Sequence, residues 1–393
     1  MKNLIIGSHR CKTAFYHIGI LDILSNFLKE YSSTIHIDLL IEIFDCLSSF
    51  AKSTNSNIFT RLIELDFLEQ LLNFLTFEID SNAYYESCLR CLRSFYLPKH
   101  RTNILLTDQN QYEQNQAKEN FFSDENSSCL VNHLFENAQI LDIFSRLLTR
   151  SKSIQITILE ILSSICVNNQ RQNQIVDKDF LQIVFKIFIE NISSKSSLAR
   201  IYNFKNEYLV GICLKFFCSI SYENQSIAQQ LHTTVSTEFN QTFCEILSNL
   251  LKKSTQPMYI SYYAAKLFVN LCKTKVLSSD HLSVSQDALT TLIHLCSKIY
   301  SNEYIYLYIQ SFHVLIYFLN GNCTLHHSAV YTEQFLNRLF DLILLPRKIL
   351  SEKFHDELVT EIRAAAMTLL AILSSYHEDI KKRIGEHDSK TNE

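Results

Sequence analysis

CLSSF at residues 46–50 returns as CLRSF at 91–95, ILSSI at 161–165, FFCSI at 216–220, LFVNL at 267–271, VLIYF at 314–318 and LLAIL at 369–373. Aligned on one large apolar residue, the copies superpose Leu47, Leu92, Leu162, Phe217, Phe268, Leu315 and Leu370, spaced 45 to 70 residues apart. A second phrase runs ahead of the first and in step with it. Its copies are ILDILSNFL (20–28), FLEQLLNFL (67–75), ILDIFSRLL (140–148), FLQIVFKIF (180–188), FCEILSNLL (243–251), ALTTLIHLC (288–296) and FLNRLFDLI (335–343). Each is apolar at i, i+1, i+4 and i+8, the stripe of a helix with one buried face. A unit built from two such helices cannot bury its apolar faces alone, so neighbouring units must stack.

This spacing points to stacked helical repeats of the armadillo or HEAT kind, whose period is ~40–47 residues. Composition agrees. The 393 residues are 47% hydrophobic but hold only five Gly and three Pro; sheets and tight hairpins need those residues at their turns, whereas stacked helices do not. The expected fold is all-α, an armadillo-type right-handed α-solenoid of about seven repeats over 1–385, with essentially no strand. QNQYEQNQAKENFFSDENSS at 109–128 is too polar to repay ordering and reads as a disordered insertion. Smaller excursions fall at 190–206 and 345–360, and EHDSKTNE at 386–393 reads as a flexible tail. If no further repeat caps the array, Leu369 and Leu370 are expected to be exposed.

Several kinds of chemistry are disfavoured. The five glycines stand at 7, 19, 211, 321 and 385, too far apart for a dinucleotide fingerprint, a phosphate-binding loop or a Gly-x-Ser-x-Gly elbow. Net charge is −4, with no basic stripe of the kind that tracks nucleic acid. IKKRI at 380–384 reads as cations at a helix end. Cys46, Cys91, Cys166, Cys218 and Cys272 lie in or beside the first phrase, where they read as reduced core thiols. Cys88 and Cys91 form an isolated C-x-x-C, and Cys323, His326, His327 and His313 could at most supply a zinc site. Neither pattern has the support that metal or redox chemistry requires, so no cofactor and no enzyme activity are expected. The opening apolar run is too short for a signal peptide, and no apolar stretch is expected to approach the ~18 residues of a membrane span. The expectation is a soluble protein of the cytoplasm and nucleus.

In armadillo arrays the first-phrase helix lines the concave groove. The residue two after each anchor is the groove position: Ser49, Ser94, Ser164, Ser219, Asn270, Tyr317 and Ile372. One turn earlier stand Asp45, Arg90, Glu160, Lys215, Lys266, His313 and Thr368. The candidate protein-binding set is Asp45, Ser49, Arg90, Ser94, Glu160, Ser164, Lys215, Ser219, Lys266, Asn270, His313 and Tyr317, with Lys215 and Lys266 expected as neighbouring groove charges. Importin-type binding of basic peptides needs a ladder of Trp and Asn. Here there is no Trp, and Asn270 is the lone Asn in the groove series.

MKNLIIGSHRCKTAFYHIGILDIL (1–24), ESCLRCLRSFY (86–96), LLTD (105–108), AAKLFVNLC (264–272), LIHLCSKIYSNE (292–303) and EIRAAAMTLLAILSSYHEDIKKRI (361–384) resemble the armadillo-repeat subunits of the GID/CTLH multisubunit ubiquitin ligase. The resemblance is colinear, omits only 109–128, and corresponds to the first half of that family. It implies a non-catalytic adaptor that bridges core scaffold and substrate receptor in proteasome-directed degradation, with RING subunits elsewhere carrying the chemistry. Its implied partners are the other ligase subunits, without nucleic acid, membrane insertion or small-molecule substrate. The alternative is an armadillo scaffold in adhesion, trafficking or nuclear import.

Overall fold

The computed structural model describes residues 8–31, 36–53, 55–96, 134–135, 138–166, 169–194, 202–204, 206–252, 257–276, 305–320, 333–344 and 356–391. Along the chain these hold α1 His9–His17, α2 Ile20–Tyr31, α3 Ile37–Ala51, α4 Ser56–Glu64, α5 Phe67–Leu75, α6 Asn82–Tyr96, α7 Ala138–Leu147, α8 Lys152–Ile165 and α9 Asn169–Val176. There follow α10 Phe180–Asn191, α11 Glu207–Ser221, α12 Gln225–Thr233, α13 Phe243–Lys252, α14 Met258–Lys273, α15 Ile305–Leu319, α16 Glu333–Leu344, α17 Asp356–Tyr376 and α18 Glu378–Thr391. All seven first-phrase segments are helical, in α3, α6, α8, α11, α14, α15 and α17. Six of the second-phrase segments fall in α2, α5, α7, α10, α13 and α16; ALTTLIHLC lies outside the described residues, as does the insertion at 109–128.

The sequence reading missed a third, shorter helix in the repeat. α1, α4, α9 and α12 each precede a second-phrase helix, and they are too polar to show a wide apolar stripe. They are specified by their ends. Ser8, Asn55 and Asn224 accept hydrogen bonds from the backbone N–H groups of Cys11, Asn57 and Ile227 at 3.2, 3.0 and 3.2 Å, satisfying donors that a helix start leaves open. The following turn passes through a left-handed residue: Gly19 (φ 76°), Asp66 (φ 57°) and Asp179 (φ 61°). Gly and Asp adopt that conformation at least cost, and each stands immediately before α2, α5 or α10.

The chain forms two compact units, Met1–Ile187 and Phe188–Glu393. In the first, α3 packs on α6 and α6 on α8, with the anchors Leu47, Leu92 and Leu162 fully buried. Phe44 meets Phe74 and Tyr84 edge-on, and the Tyr84 hydroxyl donates to the Phe74 carbonyl at 2.8 Å. In the second, α11 packs on α14, α14 on α15, and α15 on α17. Phe188, Phe217 and Phe243 form a three-ring cluster with centroids 5.2–5.9 Å apart, each pair near the edge-to-face geometry that aromatic quadrupoles favour.

Among the described residues strand is almost absent, as expected. Two antiparallel ribbons close loops of the second unit. β1 Ile192–Ser194 pairs with β2 Tyr202–Phe204, and β3 Val235–Ser236 with β4 Gln241–Thr242. Next to the second ribbon, Thr242 and Glu245 make a reciprocal cap at the start of α13: Glu245 N donates to Thr242 Oγ1 at 3.3 Å, and Thr242 N to Glu245 Oε2 at 2.7 Å, the geometry of a capping box. Three details depart from the sequence reading. Leu369 and Leu370 are buried rather than exposed, because α16 and α18 both pack on α17. α18 also continues to Thr391, into the segment read as a flexible tail. Finally, Leu358–Tyr376 is long and apolar enough to cross a membrane by length and composition; in this fold it is a packed repeat helix, seated on α15 and α16.

Candidate protein-interaction site

The two series of candidate positions are linked by their own hydrogen bonds. Ser49 Oγ donates to the Asp45 carbonyl at 3.1 Å, Ser94 to Arg90 at 2.9 Å, and Ser219 to Lys215 at 3.1 Å. Ser164 donates to the Ile161 carbonyl at 2.6 Å. A hydroxyl bonded back into its own helix makes little demand on a partner, and a small side chain lets the next helix approach. This corrects the expected groove: Ser94, Ser164, Glu160, Lys215 and Asn270 are buried, not open to a partner. Ser49, Asp45, Ser219, Lys266 and His313 are half-buried, while Arg90 and Tyr317 are exposed.

In the first unit the ladder is ionic. Asp45 Oδ1 accepts from Arg90 Nη1 at 3.1 Å and from Ser87 Oγ at 2.8 Å, joining α3 to α6. The Ser48 and Ser94 hydroxyls meet at 2.9 Å on the same two helices. Arg93 reaches from α6 to α8, with Nε 2.7 Å from Glu160 Oε2 and Nη2 donating to Oε1 at 3.2 Å. Only the Nη2 contact has hydrogen-bond geometry, and the ion pair keeps the buried Glu160 charge compensated.

Two further cations belong to this cluster, and sequence reasoning missed both. Lys12, the most enclosed residue of α1, is 8% exposed, and Lys52 caps the end of α3. Burial first, and Lys52 second, hold the Lys12 ammonium below the ordinary lysine range. Lys52 is lowered by burial and then by Arg93 and Arg90, with Cys91 and Asp45 opposing. Among the described residues neither lysine side chain has a hydrogen-bonding or ion-paired partner. The cluster therefore sets Lys12, Lys52, Arg90 and Arg93 against Asp45 and Glu160. No spacing rule marks Lys12, whose burial follows from packing in the first repeat.

The second unit is built differently. Asn270 Nδ2 donates to the Cys218 carbonyl at 2.9 Å and to Ser221 Oγ at 3.3 Å, and Cys218 Sγ donates to the Tyr263 carbonyl at 3.3 Å; both tie α14 to α11. Lys266 stands 5.8 Å from the Tyr262 ring centre. Tyr262 raises its affinity for the proton while burial works against that. Lys215 and Lys266 are thus not a pair of open groove charges. His313 Nε2 lies 3.5 Å from Glu361 Oε1, across α15 and α17. Burial, then Cys272, pushes the Tyr317 phenol up.

The C-x-x-C thiols sit in the core. Cys88 and Cys91 are fully buried, and burial pushes both thiols far above the range where a thiolate forms. Among the described residues, no three His, Cys, Asp or Glu side chains converge as metal ligands; Cys323, His326 and His327 lie outside them.

No protein-family model matches the chain. Armadillo repeat-containing protein 8 from Danio rerio is 23% identical over 398 residues, covering 99% of this chain and 51% of that protein. The Mus musculus protein of the same name is 22% identical over 396 residues, with the same coverage. The chain thus spans about half the length of the curated relatives it matches. Among solved structures, one from work on a phosphorylation switch controlling the interaction between cadherin and beta-catenin gives a TM-score of 0.63 at 14% identity, covering 98% of this chain and 65% of that one. Computationally designed armadillo repeat proteins for modular peptide recognition give 0.50 at 16%, covering 75% and 99%. These structural likenesses establish the fold. The chain has an armadillo-repeat fold and is similar along nearly its whole length to about half of armadillo repeat-containing protein 8.

Proposed function

We propose that this chain is a non-catalytic adaptor of a GID/CTLH-type ubiquitin ligase, acting in the cytoplasm and nucleus to bridge core scaffold and substrate receptor for proteasome-dependent degradation. The observation that carries the reading is the sequence similarity to armadillo repeat-containing protein 8 across 99% of the chain. The fold supports it physically. Within each unit, stacked helices present a succession of side chains on neighbouring repeats, which suits contact with a partner segment. Solved armadillo structures of the same fold concern peptide recognition and the cadherin–beta-catenin interaction.

The test is affinity purification of the tagged chain from its native cells, scored for RING and LisH/CTLH-containing subunits, with imaging of the tagged protein for its compartment. Co-purification of those subunits at stoichiometric yield is the expected result. Recovery of adhesion, trafficking or import proteins in their place would overturn the ligase assignment and leave the scaffold.

A further inference from the structure

Every charged group on the first-unit ladder is matched except two. Arg90 is held by Asp45 and Arg93 by Glu160. Lys12 and Lys52 approach the same cluster from α1 and from the end of α3; Asp45 acts on Lys52 from a distance, but among the described residues neither ammonium has a hydrogen-bonded or ion-paired partner. Lys12 is more than nine-tenths buried. Leaving an ammonium in that condition costs free energy unless an anion supplies the missing contact. The carbonyls at the C-terminal end of α3 temper the charge on Lys52, but they lie within the helix and do not neutralise Lys12.

We propose that Lys12 and Lys52, oriented by the Arg90–Asp45 and Arg93–Glu160 pairs, form a docking subsite for an acidic peptide segment of a partner protein. A carboxylate of the peptide seats between the two ammoniums. The flanking carboxylates select the kind of anion. Asp45 and Glu160 lie in the same cluster as the lysines, so a uniformly charged strand such as nucleic acid, or an anionic membrane surface, meets repulsion there. A peptide with one or two acidic residues sets those on the lysines and neutral residues over Asp45 and Glu160, so the site discriminates by repulsion as well as attraction. The net charge of −4 gives a polyanion no long-range attraction to offset that repulsion. Both lysines titrate below their ordinary range, as expected of cations that lack a counter-charge.

The subsite is independent of which complex the chain serves. It is measured with the purified full chain, whereas the ligase reading is measured in cells, so each can fail alone. The probe is a fluorescein-labelled decapeptide of Ala and Gly with two central Glu, followed by anisotropy at low salt. Saturable binding below about 1 mM is expected, with Lys12→Met and Lys52→Met each weakening it about tenfold or more, the scale on which close charge pairs act. Replacing both Glu by Gln in the probe should weaken it equally. Melting temperatures of both variants should match or exceed that of the wild type, because an unanswered cation has been removed. Four results would overturn the proposal: no saturable binding, binding unchanged in the variants, inorganic phosphate or a single-stranded oligonucleotide binding at least as tightly as the peptide, or a fall in melting temperature that makes the lysines part of the fold's own support.

Discussion

The first unit ties its repeat helices together with ion pairs, whereas the second joins α11 to α14 with an amide, a thiol and a hydroxyl. Asp45–Arg90 and Arg93–Glu160 cross the junctions α3–α6 and α6–α8. Asn270, Cys218 and Ser221 cross α11–α14. Both arrangements grow from the same five-residue phrase, so the phrase dictates the helix and its anchor but not the chemistry of the rung. Neutral rungs satisfy themselves and close the surface. Charged rungs attract further charge, and in the first unit that leaves two lysines over. The second unit should accordingly be spending its polar residues on stability and the first on recognition.

The largest effect expected on this contrast is at the anchors. Phe217→Ala should destabilise the second unit by about 3–5 kcal/mol and Leu92→Ala the first by about 2–5 kcal/mol, the usual costs of emptying a buried ring or Leu site. Urea unfolding followed by circular dichroism measures both, with hydrogen exchange assigning each transition to its unit. The Phe217 effect should be the larger, since the Phe188 and Phe243 rings both lose a partner. An effect within error at either site would mean that the repeat register is wrong.

The rungs come next. Asn270→Ala strands the Cys218 carbonyl in a closed interior and should cost about 1–3 kcal/mol, the penalty for a buried polar group left unpaired. Arg90→Ala removes an ion pair whose arginine is half exposed and should cost no more than about 1 kcal/mol, as surface pairs do. If the same unfolding experiment shows Arg90 to be the costlier loss, the division between a recognising unit and a stabilising one collapses.

The repeat itself was legible because anchors such as Leu47 and Phe217 obey a period that any helix stack must respect. The short helices were not, since α4 and α9 are declared by Asn55, Asp66 and Asp179, single residues whose meaning depends on a left-handed turn. The groove was half legible. Choosing positions two after each anchor located a real ladder, but spacing cannot say whether Ser94 or Asn270 points to solvent or into the next helix. That depends on side-chain size and on whether the group can bond back to its own backbone. Glu160 was named without its partner, because Arg93 lies 67 residues earlier in the chain and sits beside an anchor, where an apolar role is the natural reading. Lys12 was invisible for the same reason in stronger form: its burial is wholly a product of tertiary packing.

The smallest effect is the one that isolates the two lysines, and its sign can be worked out in advance. Lys12 and Lys52 have folded-state pKa values below the ordinary 10.5. Between each lowered value and 10.5 the unfolded chain holds more protons than the folded one, so stability gained from these groups rises with pH across that window. Below it the full cost of two unanswered charges is present. The buried thiols of the same unit act in the opposite sense. Cys88 and Cys91 stay protonated in the fold, while in the unfolded chain they ionise from about pH 9, near the ordinary thiol range; this lowers stability as pH rises. That second trend is common to wild type and to a Lys12→Met/Lys52→Met variant, and it cancels in their difference. At neutral pH and low salt the variant should therefore melt higher by about 2 °C or more. The gap should shrink as pH climbs toward 10.5, and shrink again in salt as the repulsion is screened. The Glu-containing peptide should close it from the other side by stabilising the wild type alone. A gap that is negative, or that stays constant with pH, would place an anion already beside Lys12 and reduce the contrast between the two ladders to one of residue type.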